Sequence, residues 1–196
     1  MGKPERLNIL VVGVGGQGLI TMSNTLARAA LLDGTKALVA ETHGLSQRGG
    51  SVEVHVRLGD VYAPLIPEGG ADVIVALELI EAARAANNLK NNGTIVANDR
   101  IIRPAVPNVE VPEREELLEY LKQFTKTIYL VDAYDIASKV GSTLSQNMVV
   151  LGTLMGTGLL EGFVSIKAVE KIISTLRRAE LNLEAFRRGL TDFQRI

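Results

Sequence analysis

Leu7-Asn8-Ile9-Leu10-Val11-Val12-Gly13-Val14-Gly15-Gly16-Gln17-Gly18, with the run Leu19–Leu32 behind it, is the segment from which the rest of the chain is read. Leu7–Val12 is a short apolar run, entered from charged residues and left through glycines, and it predicts a buried strand. Leu19–Leu32 is rich in Leu, Ala and Met and predicts a helix stopped at Asp33-Gly34. Lys36–Ala40 predicts a second buried strand. The first 40 residues therefore read as a βαβ unit with a right-handed crossover, which calls for a parallel sheet.

Gly13, Gly15 and Gly18 stand at the spacing G-x-G-x-x-G, with Gly16 and Gln17 completing the loop, directly after a strand and opening a helix. Glycine lets the backbone turn sharply and approach a phosphate, which then rests on the free N–H groups of the helix start. Glu41 follows Gly18 by 23 residues (41 minus 18), where a dinucleotide site keeps its ribose-binding carboxylate. Leu19 and Ile20 stand where a Walker A loop needs Lys and Ser or Thr, so that loop is excluded. The same glycines also suit tight helix–sheet packing or contact with another chain, and spacing alone leaves phosphate binding and packing both open.

Glu41-Thr42-His43-Gly44-Leu45-Ser46-Gln47-Arg48-Gly49-Gly50 follows the second strand at the sheet's carboxyl edge, where open α/β sheets bind ligands. Arg48, between small residues, suits a bidentate anion contact, and His43 and Gln47 offer hydrogen bonds beside it. A nucleophile elbow is excluded, because Arg48 holds the position of its last glycine. A polar loop closed on its own hydrogen bonds is the alternative. The two loops together predict an anion-binding corner with no evident catalytic group.

Further along, Val52, Val54, Val56 and Leu58 alternate with Glu53, His55 and Arg57, which predicts a strand with one buried face and a solvated His55. Gly59-Asp60 leads into Val61–Ala63 and predicts a β-hairpin, so the sheet is mixed. Asp72–Leu77, Thr94–Asn98 and Thr127–Val131 read as further strands. Glu78–Leu89 and a segment opened by Pro112 read as helices, and everything from Ala133 onward reads as helical. The expected fold is α/β: a three-layer Rossmann-like domain spanning residues 1–196, with a mostly parallel, mixed sheet carrying an antiparallel hairpin and a helical C-terminal third.

Composition narrows the function. The chain has 196 residues, 46% hydrophobic and 22% charged, which fits one domain with a packed core. Lys plus Arg is 21 against 22 for Asp plus Glu, and aromatics are four Phe and four Tyr, so nucleic acid is not an expected partner. With no cysteine, thiolate ligation, disulfides and thiol nucleophiles are excluded. His43 and His55, the only histidines, match no metal spacing. The polar start Met1–Arg6 is not read as a signal peptide. Val140–Leu160 is 21 uncharged residues, long enough for a membrane span, but its first third is polar. It reads as a buried helix whose Gly152 and Gly156 permit close packing, and the protein as cytoplasmic, with no membrane contact.

The strand ending Val11-Val12, the loop Gly13–Gly18, Glu41-Thr42-His43-Gly44 and Gln47-Arg48-Gly49-Gly50-Ser51-Val52 resemble the gamma-type domain of the 2-oxoacid:ferredoxin oxidoreductases. Thr42-His43-Gly44, Gln47–Gly50, Asn147 and the ending Asn182…Ala185-Phe186…Gly189 are most similar to the indolepyruvate branch of that family. The resemblance implies oxidative decarboxylation of an aryl 2-oxo acid with coenzyme A, giving an aryl-acetyl thioester, CO2 and reduced ferredoxin. It places thiamine diphosphate and 4Fe–4S clusters on a larger alpha subunit, and makes ferredoxin the acceptor of the complex. It also makes Gly13, Gly15, Gly16, Gln17, Gly18, His43, Gln47 and Arg48 candidates for contact with coenzyme A or with the partner subunit. No cofactor is assigned to this chain alone, no catalytic residue is expected in it, and a homodimer of the isolated chain stays open. The alternatives are the same subunit serving pyruvate or a branched-chain 2-oxo acid, and a free-standing NAD-binding protein. The Gln47–Gly50 loop separates the last from the others, since dinucleotide binding gives no reason for it.

Overall fold

The computed structural model describes residues 5–43, 50–103 and 110–196. In chain order the elements are β1 (Arg6–Val14), α1 (Leu19–Leu32), β2 (Ala37–His43), β3 (Ser51–Gly59), β4 (Ala71–Ala76), α2 (Leu79–Ala85) and β5 (Leu89–Asn98). They continue with α3 (Arg114–Leu121), β6 (Ile128–Val131), α4 (Ala133–Val140), α5 (Gln146–Gly156), α6 (Ile166–Ile173), α7 (Ala179–Gly189) and β7 (Gln194–Arg195). The strands form one mixed sheet in the order β2-β3-β1-β4-β5-β6-β7. β1, β4, β5 and β6 are parallel neighbours, while β3 is antiparallel to both β1 and β2.

Alternate residues of the strands feed two cores. Ile9, Val11, Val54, Val56, Val73 and Val75 pack beneath α1, α5, α6 and α7. Leu10, Val12, Ile74, Ile95 and Leu130 pack beneath α2 and α3. The crossover after β1 and the crossover after β4 thus lie on opposite faces, and the sheet reverses its winding between β1 and β4. That is the place where open α/β sheets bind ligands.

Four expectations need correction. β2 runs in the direction of β1 but does not adjoin it, because β3 lies between them, with Arg6↔Gly59 to Val14↔Ser51 on one side and Ala37↔Leu58 to His43↔Val52 on the other. Alternation marks a strand with one buried face but carries no information about its neighbours. Val61–Ala63 is not a strand. The N–H groups of Gly59 and Asp60 donate to Lys36 O (2.9 Å) and Glu5 O (2.8 Å), which ties the turn to β2 and β1 and leaves it no hairpin partner. His55 is buried rather than solvated, since the segment after Gly59 crosses it and Ile66 N–H donates to its Nδ1 at 3.2 Å. Finally, the chain end is not all helical: β7 pairs antiparallel with β6, and Phe193 meets Tyr129 edge-on at 5.6 Å.

The long uncharged run divides as its composition implies. Thr143–Ser145 forms a 3-10 turn, and Gln146–Gly156 forms α5, buried from Asn147 to Met155. A Cβ on Gly152 would lie 2.1 Å from Phe186 O, and one on Gly189 2.0 Å from Val149 O, so α5 and α7 meet backbone to backbone. Among the described residues no helix is long and apolar enough to cross a membrane.

Candidate functional site at the carboxyl edge of the sheet

The glycine loop closes on side-chain amides. Val14 N–H donates to Gln17 Oε1 at 2.6 Å, and Gln17 Nε2 donates to Leu77 O at 2.9 Å. Leu77 O also accepts from Asn98 Nδ2 at 3.2 Å, and Asn98 Oδ1 accepts Ala133 N–H at 3.0 Å. Two buried amides therefore join the carboxyl ends of β1, β4 and β5 to the start of α4. On the other side of the loop, Asn147 Nδ2 donates to Gly18 O at 3.1 Å.

This explains two of the three fingerprint glycines. A Cβ on Gly13 would sit 2.6 Å from Gln17 Oε1, and one on Gly18, at φ +82°, 2.5 Å from Asn147 Nδ2. At either position an added Cβ would displace a hydrogen-bonded side-chain amide. Gly15 N–H donates to Gly50 O at 3.0 Å, so the glycine loop is joined to the segment entering β3. Gly16, at φ +100°, has nothing within 4 Å of a built Cβ and offers the open approach.

The dinucleotide arrangement is not built. Gln17, 9% exposed, fills the crevice between β1 and β4. Glu41 lies on β2, two strands from β1 because of β3, which is about 10 Å at the usual strand spacing. The correct G-x-G-x-x-G spacing therefore does not position a ribose carboxylate. His43 ends β2 opposite Val52. Gln47 and Arg48 lie outside the described residues.

A cavity of about 350 Å³ opens beside Gly16 and Gly18, lined also by Thr21, Ser142, Arg177 and Arg178. Neither guanidinium has a partner among the described residues. These arginines were not anticipated from the sequence. The available signal was their place at the start of α7, where a helix dipole disfavours cations and capping gives no reason for two of them. Arg178 takes a left-handed conformation at φ 57° there.

The buried acid at this edge is structural. Glu78, 1% exposed, accepts N–H bonds from Ile80 (3.1 Å), Ile102 (3.4 Å) and Glu81, capping α2 and fixing the chain after β5. Burial pushes its carboxyl above the usual carboxylate range despite those bonds. Among the described residues no group of three His, Asp or Glu side chains could hold a metal ion. The edge is thus a hydrogen-bonded frame with an adjoining cationic cavity, and among the described residues no nucleophile stands beside a base in it.

Residues 8–191 match the pyruvate ferredoxin/flavodoxin oxidoreductase family. The chain belongs to that family. It is 48% identical to indolepyruvate oxidoreductase subunit IorB of Archaeoglobus fulgidus over 190 residues, 94% of each chain. It is 29% identical to the pyruvate/ketoisovalerate oxidoreductases common subunit gamma of Pyrococcus furiosus, over 86% of this chain and 85% of that one. Its fold is similar to the crystal structure of pyruvate oxidoreductase subunit PORC from Thermotoga maritima, with TM-score 0.74 at 23% identity, covering 98% and 99% of the two chains. The gamma-type 2-oxoacid oxidoreductase domain expected from the Gly13–Gly18 and Glu41–Gly50 motifs is therefore the one this chain has.

Proposed function

We propose that the chain is the thiamine-free subunit of a cytoplasmic, indolepyruvate-type 2-oxoacid:ferredoxin oxidoreductase. The complex would convert an aryl 2-oxo acid and coenzyme A to aryl-acetyl-CoA and CO2, passing two electrons to ferredoxin. The observation that carries this reading is end-to-end identity of 48% to an indolepyruvate oxidoreductase subunit, against 29% to a subunit shared by pyruvate and ketoisovalerate enzymes. Thiamine diphosphate and 4Fe–4S clusters belong to the larger alpha subunit. A chain without cysteine does not fit a thiolate-held cluster. Alone, it turns over no 2-oxo acid.

Within the complex, the carboxyl edge would serve coenzyme A. Gly16 leaves the backbone of the loop approachable, Arg177 and Arg178 supply two cations to the cavity lining, and Arg48 follows the same edge in sequence. Phosphate groups suit backbone N–H donors and guanidinium forks. The test is a substrate panel on the complex formed with the cognate alpha subunit. Indolepyruvate should give the highest kcat/KM, above pyruvate and 2-oxoisovalerate. A complex that prefers either of those assigns the subunit to a different 2-oxo acid.

A further inference from the structure

The two sides of the sheet are finished differently. β7 closes one side with two residues, Gln194–Arg195, a strand too short to recruit another. β2 closes the other side with seven, Ala37–His43. Its register against β3 runs unbroken from Ala37↔Leu58 to His43↔Val52, and Ala37-Leu38-Val39-Ala40 is apolar throughout. Bulges, prolines and inward-pointing charges are the usual guards of an edge strand. Ala37–Ala40 has none of them.

The direction of the unused backbone groups follows from the ladder. Gly59 N–H donates to Lys36 O at 2.9 Å, one step beyond the Ala37↔Leu58 pair. Antiparallel partners alternate between bonded and non-bonded pairs. Leu38 and Ala40 therefore bond inward to Arg57 and His55, while Ala37 and Val39 turn their N–H and C=O groups away from the sheet. Among the described residues no strand lies on that side. The side chains of Ala37 and Val39 pack on the core beneath α1, whereas Leu38 points to the other face, is half-buried and belongs to neither core.

We propose that β2 is a dimerisation edge, pairing antiparallel with β2 of a second copy of this chain about a two-fold axis at Leu38. A line of outward N–H and C=O groups is satisfied in register by another extended strand. The second copy is the occupant that this sequence itself fits. Rotation about Leu38 sets Ala37 opposite Val39 of the second copy, and Val39 opposite Ala37 of the second copy. Each of these pairs exchanges both hydrogen bonds, so every outward group of the two residues is used. Leu38 meets its own counterpart in a non-hydrogen-bonded pair, the arrangement in which side chains lie closest, and so covers its half-exposed surface. Lys36 falls opposite Ala40 and Glu41 opposite Thr35, so no like charges face each other. An axis perpendicular to the sheet keeps both α1 layers on one side and joins two seven-stranded sheets into one. The seam is the side of the sheet and not its carboxyl edge, so the proposal does not depend on the coenzyme A reading.

The test is the oligomeric state of the purified full chain by sedimentation equilibrium, for wild type, Leu38→Lys, Leu38→Glu, an equimolar mixture of those two, Ala37→Pro and Leu38→Cys. Wild type should be a dimer that dissociates on dilution. Leu38→Lys and Leu38→Glu set like charges face to face and should each raise the dimer dissociation constant about tenfold or more. Their mixture should form one-to-one heterodimers more tightly than either variant pairs with itself. Ala37→Pro deletes an outward N–H that the ladder with β3 does not use, and should weaken the dimer as well. Because the chain has no cysteine, Leu38→Cys supplies a single thiol, which should close a disulfide between copies on mild oxidation. Thermal melting separates lost pairing from lost folding, and Leu38→Cys, which adds no charge, decides if the charged variants do not fold. A wild-type chain that is monomeric at every concentration overturns the proposal. So does a dimer that ignores both charged variants and yields no disulfide in Leu38→Cys, since its seam lies elsewhere. Variants that leave self-association unchanged but weaken joining to the alpha subunit overturn it too, and give this edge to the larger subunit.

Discussion

Gln17 Nε2 donates to Leu77 O at 2.9 Å across the crevice between β1 and β4, the crevice in which a Rossmann-type sheet ordinarily receives a pyrophosphate. The same side chain accepts Val14 N–H, so a single amide terminates β1 and bridges it to β4. Gln17→Ala removes both bonds and leaves Val14 N–H without a partner inside the protein. Leu77 O keeps Asn98. The expected loss is about 2–4 kcal/mol of unfolding free energy, measured by denaturant titration. Gln17→Glu should cost more, because a carboxylate would face the Leu77 carbonyl where a donor is needed.

Gly18 and Asn147 form a second pair. Gly18→Ala meets both a positive φ and the Asn147 amide, whereas Gly18→Ala in an Asn147→Ala background meets only the φ. The double-mutant cycle should show the two substitutions costing less together than in sum, by about 0.5–3 kcal/mol. Strict additivity would mean that Gly18 is required for its conformation alone.

His55 makes stability depend on pH. Burial lowers its pKa below the ordinary 6.5, and Arg57 adds to this, against an opposing effect of Glu53. Because the folded-state value lies below the unfolded one, the unfolded chain takes the proton first as pH falls. Stability is full above 6.5 and is lost as pH drops from there through the folded value. His55→Asn, which keeps an acceptor for Ile66 N–H and does not titrate, should flatten this part of the stability profile. An unaltered slope in that variant would assign the dependence to other groups.

These three positions show how far the sequence could be read. The period of Val52–Leu58 gives a half-buried strand, and the boundaries Leu19 and Leu32 of the first helix are set by glycine at one end and Asp33-Gly34 at the other. Strand order is a different matter, because β3 inserts between β1 and β2 through pairings distant in sequence, and no local pattern encodes them. The glycine spacing is likewise correct while its meaning changes. What fills the crevice is decided by Gln17, which a G-x-G-x-x-G template treats as filler, and the other side of the loop is closed by Asn147, which the template does not include. Arg177 and Arg178 reach the site only because α7 folds back against α5, some 160 residues after the glycines they join (177 minus 18).

Arg48 tests the anion reading of the edge. Losing a charge-assisted contact worth about 1.5–3 kcal/mol lowers affinity roughly ten- to a hundredfold. Arg48→Ala in the assembled complex should raise the KM for coenzyme A by that factor, leaving assembly intact. Weakened assembly with normal coenzyme A dependence would place Arg48 at the subunit boundary instead. No change in either would remove the Thr42–Gly50 loop from the functional site.

The central claim is that this chain completes an enzyme whose redox chemistry resides on another subunit. The most direct measurement is ferredoxin reduction by indolepyruvate and coenzyme A as the purified chain is titrated into its purified alpha subunit. Activity should be absent with the chain alone and should rise with added chain to a sharp plateau at equal molar amounts. Indolepyruvate oxidation by the isolated chain, or an alpha subunit equally active without it, would contradict the account.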